Sequence, residues 1–153
     1  MPDPNDFLRR QQQIIDTVGW AVMHVLPTED ETDTTTPFAY TVGLTAHDYP
    51  ELLIAGLPPD VAHGLLNDLA GRVYDKAERF TDGQRISDLI ADYDAVVVEG
   101  TPTDELLPGV AIARYGRDRV RLQQVVWPDP QGRFPWDTGY DFDPDVQPLI
   151  ARP

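Results

Sequence analysis

The segment WPDPQGRFPWD, residues 127 to 137, carries the residue types that best suit a ligand site. Trp127 and Trp136 flank a loop that contains three prolines, and flat apolar rings beside a carboxylate such as Asp129 suit a cationic or sugar-like ligand. The same segment is also typical of a structural hairpin loop, with Gly132 at a positive φ. On that interpretation Trp127 packs inward and Asp129 shapes the turn through backbone contacts.

A second group of polar side chains lies at and before the turn TAHDYP. Tyr40 and Thr41 form a hydroxyl pair in the strand that leads to it, beside a glycine that would let a ligand approach the backbone. His47 and Glu51 are residue types that act as acids and bases. The alternative is that all four are ordinary strand and turn residues, and the sequence leaves both interpretations open.

These polar groups form one site only if the fold brings distant segments together. Gln124 interrupts the apolar alternation of its strand, so its amide points toward the core or a bulge shifts the register. A pocket containing Gln124, Asp129 and the turn residues would make the chain a small enzyme or cofactor-binding domain, with its site between the 45–51 turn and the 124–137 loop.

Sequence signatures of common chemistry do not occur in this chain. It has no GxxxxGK[ST], GxGxxG, GxSxG or HExxH motif. His24, His47 and His63 fall on different predicted elements, and no sequence-local pair of them has the spacing of metal ligands. The three could still converge in space and bind zinc as neutral imidazoles, but His24 in an apolar strand is more typical of a hydrogen-bonded core residue. Residues 141–145, DFDPD, have the alternation of a calcium loop, but Val146 stands where such a loop needs glycine. The sequence therefore predicts no metal site and implies no cofactor.

Charge and cysteine content limit the classes of partner. The chain has 26 acidic and 12 basic side chains in 153 residues, a net charge of -14. Such a surface disfavours nucleic acid and anionic membranes and favours a basic protein or a cationic ligand, although solubility alone also explains it. There is no cysteine, which excludes disulfides and thiolate sites. We expect a cytoplasmic protein without a secretory signal or membrane span.

Hydrophobic periodicity predicts the elements. Residues 4–18 form a helix whose apolar stripe should face the core, and residues 19–26 form a central strand that is apolar on both faces. A second helix follows two prolines at 58–59, and a third starts after Pro108 and Gly109. Further strands are predicted in these segments: FAYTVGL, ELLIAGL, YDAVVVEG and RVRLQQVVW.

Strands and helices mix without strict alternation, which predicts a single α+β domain with an antiparallel or mixed sheet packed with two or three helices. We divide the chain into an N-terminal helix (1–18), the α+β domain (19–140) and an irregular acidic tail (141–153). The predicted core comprises Trp20, Val22, Leu44, Leu53, Ile54, Leu65, Leu66, Leu69, Val97 and Leu122.

Three blocks of the sequence resemble one family. GWAVMHV, FAYTVGLTAHDYPELLIAGLPPDVAHGLLNDLAGRV and LQQVVWPDPQGRFPWDTGY, within residues 19–140, resemble the bacterial domain of unknown function 4262. A much weaker likeness, through a short strand and the helix LLNDLAGRV, is to suppressor-of-fused-like immunity proteins. The resemblance implies no reaction and no catalytic residues. We therefore expect a non-catalytic binding or interaction module, with the acidic surface and the 127–137 loop as its working face.

Overall fold

Six strands form one mixed sheet in the computed structural model, which describes residues 4–30 and 32–152. The strands are β1 (Ala21–Val25), β2 (Phe38–Val42), β3 (Glu51–Ala55), β4 (Arg85–Ile90), β5 (Tyr93–Gly100) and β6 (Leu122–Val126). The helices are α1 (Pro4–Val18), α2 (Pro59–Asp75) and α3 (Gly109–Tyr115), and two short 3₁₀ helices span Leu44–His47 and Pro144–Val146.

The strand order is β1-β2-β3-β6-β5-β4, in which only β3 and β6 run parallel. Leu53 of β3 lies opposite Gln124 of β6. Because parallel neighbours start at the same end of a sheet, the turn before β3 and the loop after β6 lie at opposite ends. This single α+β domain confirms the predicted fold class.

The two faces of the sheet have different covers. Helix α2 packs on one face, where Leu66 and Leu69 are completely buried among strand residues such as Ile54 and Val97. Helices α1 and α3 cover the other face over β1–β3, around Leu53 and Leu122. The C-terminal segment covers the same face over β5 and β6, through Leu149 and its neighbours. Both faces of the sheet are therefore buried from solvent at its middle.

The predicted core is confirmed, since none of its ten residues is exposed; only Val22 and Leu65 are half-buried. The prediction that the apolar stripe of α1 faces the core is largely wrong. Of its apolar residues only Ile15 is buried, whereas Phe7, Leu8, Ile14 and Val18 are exposed. The reason is that α1 packs against the edge strand β1, so less of the helix meets the sheet.

Two predictions about strands also need correction. β1 is an edge strand rather than a central one, since it pairs only with β2, although both of its faces are covered as expected. The opposite edge, β4, was not predicted at all. Its sequence RISDLI buries only Ile86 fully, and its pairing with β5 shifts register after that residue. An edge strand with one buried face position has almost no alternating pattern to detect.

Candidate functional site

A buried carboxylate organises the turn between β2 and β3. Glu51 has no exposed surface, and its Oε1 accepts hydrogen bonds from the Thr41 hydroxyl at 2.9 Å and the Leu44 N–H at 3.1 Å. Its Oε2 accepts from the Gly43 N–H at 3.3 Å and from Thr45, whose N–H lies at 2.8 Å and hydroxyl at 2.5 Å. Five donors therefore converge on one side chain of the same chain.

The backbone of this turn has to pass very close to the segment before β1. Gly43 adopts φ 134°, and a Cβ at this position would lie 2.7 Å from the carbonyl oxygen of Gly19 and 2.9 Å from the Cα of Trp20. Only glycine fits there. The successive N–H groups of residues 43–45 consequently point the same way, and such a backbone arrangement binds an anion. Glu51 supplies that anion.

Burial raises the pKa of Glu51, and its hydrogen bonds with Thr45, Thr41 and the Leu44 N–H oppose the rise. The carboxylate has no accessible surface and no free lone pair directed at solvent. Glu51 therefore cannot touch a substrate in this structure. It is a positioning residue, and the sequence-based hypothesis that it is an acid or base loses its geometric support.

The turn that Glu51 holds projects a short exposed segment. Ala46, His47 and Asp48 are exposed, and Asp48 adopts the left-handed conformation with φ 57°. The next residue, Tyr49, is buried and anchored, since its hydroxyl donates to Gln123 Oε1 at 2.5 Å and accepts from the Phe80 N–H at 3.0 Å. Rigid anchors thus lie on both sides of the exposed segment.

Three clefts surround this segment. Their volumes are about 210, 570 and 580 Å³. His47 and Tyr74 line the two larger clefts, while Asp48 and Tyr49 line the smallest and one of the larger ones. The second cleft shares lining residues with each of the other two, and we call the surface that carries the three clefts around residues 44–49 the 44–49 surface.

Arginine side chains line all three clefts. Arg119 and Arg121 line the smallest, Arg79 lines the second and Arg114 lines the third. The guanidinium of Arg79 lies 5.3 Å from the centre of the Tyr49 ring. These four are a third of the 12 basic side chains in a chain of net charge -14. Asp48 and Asp16 also line these clefts, so the 44–49 surface carries four arginines against two carboxylates.

The arginines of this surface differ in how far they are engaged by the protein. Arg114 is held by the side chains of Gln11 and Gln12 on α1. Arg121 lies 3.7 Å from Glu99, and both side chains are exposed. Arg119 contacts the ring of Tyr115 at 5.9 Å and forms no ion pair within the described part of the chain. Arg119 and Arg121 are thus the guanidinium groups best placed to meet a ligand.

The 127–137 loop at the other end of the sheet is closed by its own contacts. The indole Nε1 of Trp127 donates to the carbonyl of Ala55 at 2.7 Å, and the Trp127 backbone exchanges two hydrogen bonds with the side chain of Gln147. Trp136 stacks on Phe134, with ring centres 5.3 Å apart. Trp127 therefore packs inward, as the structural interpretation predicts.

Asp129 lies inside this loop, where only 1% of its surface is exposed. Its carboxylate accepts backbone N–H groups from Gln131, Arg133 and Asp141 at 2.9–3.0 Å and the Arg133 guanidinium at 3.3 Å. Desolvation raises its pKa, but these backbone donors and the Arg133 charge outweigh that effect, and the net pKa is lowered. Asp129 shapes the turn and does not face a ligand in this structure.

The remaining sequence candidates also have structural partners. The amide of Gln124 is fully buried and binds the C-terminal segment, donating to the Pro148 carbonyl at 2.8 Å and accepting from the Ile150 N–H at 2.9 Å. The Tyr40 hydroxyl accepts the N–H of Val110 at the start of α3. Thr41, besides its bond to Glu51, accepts the Leu52 N–H.

The proposed single site between the 45–51 turn and the 124–137 loop is not formed. The two segments flank opposite ends of the parallel strands β3 and β6. Five-residue strands place such ends about 15 Å apart, at roughly 3.3 Å per residue. His47 therefore does not meet Gln124 or Asp129.

Sequence reasoning missed the arginine cluster and Tyr49. Four arginines fall within the eight residues RYGRDRVR, 114–121, and this run was a detectable signal of charge segregation. Arg79 lies in the irregular segment that follows α2, and its contribution had no local signal.

Fold and site together define a single-domain α+β protein whose mixed sheet carries arginine-lined clefts at one end. The model of the domain of unknown function 4262 matches residues 14–141, and the chain belongs to this family. No curated protein and no solved structure matches it. In the described ranges, no helix has the length and apolar character required to cross a bilayer.

Proposed function

We propose that the protein is a non-catalytic binding module that holds a small anionic ligand, bearing a phosphate or carboxylate group, on the 44–49 surface. The observation that carries the proposal is the placement of Arg79, Arg114, Arg119 and Arg121 around one rigid turn in an otherwise acidic protein. Guanidinium groups suit phosphate and carboxylate because their N–H groups match two oxygens at once.

Rigidity supports binding at this surface. Glu51 holds the turn from inside, and Tyr49 is fixed by Gln123 and by the Phe80 backbone. A preformed surface loses little conformational entropy when a ligand binds. The exposed ring of Tyr74 adds flat apolar contact in the cleft that Arg79 lines. An anionic ligand with a planar part would use both features.

We propose binding rather than catalysis because neither Glu51 nor His47 has both the access and the orienting hydrogen bond of a catalytic acid or base. Glu51 is inaccessible and fully engaged by donors. His47 stacks edge-on against Tyr74 and, within the described part of the chain, makes no hydrogen bond that would orient its ring. A general base needs an orienting partner and access to the reacting group, and neither residue has both.

Titration of the isotopically labelled protein with pyrophosphate, and separately with succinate, tests the proposal by amide chemical shifts. We expect saturable shifts at Ala46, His47 and Asp48, and the loss of these shifts in the double variant Arg119→Gln/Arg121→Gln. Arg117→Gln is the matched control, because Arg117 lies in the same run but lines none of the three clefts. Pyrophosphate recovered unhydrolysed after incubation is expected of a binder.

Equal shifts in the double variant and in wild type, or shifts that never saturate with either anion, would contradict the proposal. If wild type hydrolysed pyrophosphate and the double variant did not, the protein would be an enzyme at this surface rather than a binding module.

A second candidate is a basic protein or cationic ligand on the acidic side, which the net charge favours. Its specific support is a cleft of about 430 Å³ lined by Thr34, Thr35, Thr36, Asp104 and Glu105. Hydroxyl and carboxylate oxygens are acceptors for ammonium and guanidinium groups. Binding of a hexa-arginine peptide that weakens in Asp104→Asn/Glu105→Gln, but not in Arg119→Gln/Arg121→Gln, would favour this candidate.

We further infer that neither surface binds nucleic acid, because the net charge of -14 repels a polyanion.

A further inference from the structure

Two of the three histidines meet across the interface between the sheet and α2. His24 on β1 and His63 on α2 are 39 residues apart in the chain, and Nε2 of His24 lies 3.0 Å from Nδ1 of His63. Their rings are nearly parallel, with an interplanar angle of 13° and centres 5.3 Å apart. His47, the third histidine, lies instead against Tyr74 on the 44–49 surface.

The separation of the two nitrogens fits two ligands on one metal ion. Zinc–imidazole bonds are about 2.0–2.1 Å long, so two such nitrogens are about 2.9 Å apart at a right angle and about 3.3 Å apart at a tetrahedral angle. The observed 3.0 Å lies within this range. Without a metal, one of these two nitrogens carries a hydrogen and donates a hydrogen bond to the other. If the donating ring changes tautomer, its hydrogen moves to its other nitrogen, and the lone pairs of both facing nitrogens become available to a metal.

The surroundings favour the metal-binding form of the pair. His63 is exposed and His24 is half-buried, so an ion can reach the pair from solvent. The net charge of -14 raises the local concentration of cations.

We propose that His24 and His63 form a binding site for one divalent transition-metal ion of the class that prefers imidazole, such as Zn²⁺ or Cu²⁺. Within residues 4–30 and 32–152, no third His, Cys, Asp or Glu side chain joins the pair. Water therefore completes the coordination, and the bound ion exchanges readily with solvent. A hard ion such as Mg²⁺ is not expected to bind here, because it prefers oxygen ligands.

Calorimetric titration of the full chain with Zn²⁺ tests this site. We expect one saturable site in wild type and its loss in both His24→Gln and His63→Gln. His47→Gln is the matched control, since it removes an exposed imidazole outside the pair and should leave the zinc isotherm unchanged. Thermal melts without metal verify that each variant folds. Zinc should raise the melting temperature of wild type and of His47→Gln, because an ion that binds the folded state stabilises it.

Electron paramagnetic resonance with Cu²⁺ supplies a readout of the ligand atoms themselves. Hyperfine splitting from two nitrogen ligands is expected in wild type and from fewer in each variant of the pair. A zinc isotherm that persists in His24→Gln, or a copper spectrum without nitrogen splitting, would overturn the proposal and place any metal on carboxylates instead. Absence of saturable binding in wild type would overturn it outright. None of these outcomes bears on the anion site, which uses different residues.

Discussion

Thr45 donates two hydrogen bonds to the same oxygen of Glu51, one from its N–H at 2.8 Å and one from its hydroxyl at 2.5 Å. This pair closes the turn that presents the 44–49 surface. A carboxylate in such a position has the same role as a bound anion, and it keeps the backbone N–H groups of the turn from being left unsatisfied.

Replacing Glu51 with Gln should lower the free energy of unfolding by about 3 kcal/mol, because an amide N–H₂ then faces buried donors that it cannot accept from. Denaturant unfolding measures the change. Glu105→Gln is a suitable control, since Glu105 is exposed and should alter stability little. A Glu51→Gln variant as stable as wild type would show that Glu51 does not hold the turn.

Trp127→Ala should cost up to about 3 kcal/mol of stability, the lower end of the range for truncating a buried aromatic residue, because Trp127 is only partly buried. The substitution removes the packing of the ring against the α2 core and the hydrogen bond to the Ala55 carbonyl. Trp136→Ala should cost less, because Trp136 stacks on Phe134 without such a bond. Thermal and denaturant melts of the two variants distinguish these effects, and an unchanged melt for Trp127→Ala would refute the structural role.

Asp129→Ala should lower the melting temperature, since three backbone N–H groups lose their acceptor. Hydrogen exchange at the amides of Gln131, Arg133 and Asp141 should accelerate in the variant. Asp137→Ala, which removes a single acceptor from the neighbouring Phe134 N–H, is the comparison. If Asp129→Ala instead kept full stability and lost binding of a ligand, the side chain would be a binding residue.

Gln124→Met should release the C-terminal segment without greatly disturbing β6. The amide of Gln124 holds the Pro148 carbonyl and the Ile150 N–H, whereas methionine keeps a similar volume and has neither donor nor strong acceptor. We expect faster hydrogen exchange at Ile150 and little change at Val125. Equal protection of Ile150 in both proteins would mean that apolar packing alone holds the segment.

His24 should make stability depend on pH near neutrality. Its pKa is lowered from 6.5 in the folded state by burial and then by the charge of His63. The unfolded chain therefore takes up a proton first, so this contribution to stability is present above pH 6.5 and is lost as the pH falls. Unfolding between about pH 7 and about pH 5 should show a shallower decline for His24→Gln than for wild type. If the stability of the two proteins declined in parallel over this pH range, the lowered pKa of His24 would be contradicted.

The sequence by itself was sufficient for the α+β class, most elements and the core. Residues such as Leu66, Leu69 and Val97 repeat at the period of a helix or strand, and burial follows that period because each element hides one side from water. The edge strand β4 escaped this reasoning because it buries too little, and α1 was assigned too much burial because its position over the sheet edge is not a local property.

Tertiary structure alone decided which polar groups meet. The parallel pairing of β3 with β6 sends the 45–51 turn and the 127–137 loop to opposite ends of the sheet, and the same topology brings Arg79 beside Tyr49 and His24 beside His63. Strand order depends on how distant segments share one buried core, and no local period along the chain encodes it. Hydrophobic burial therefore determines the elements from nearby residues, whereas the convergence of charged and imidazole groups follows only from the long-range order of the strands.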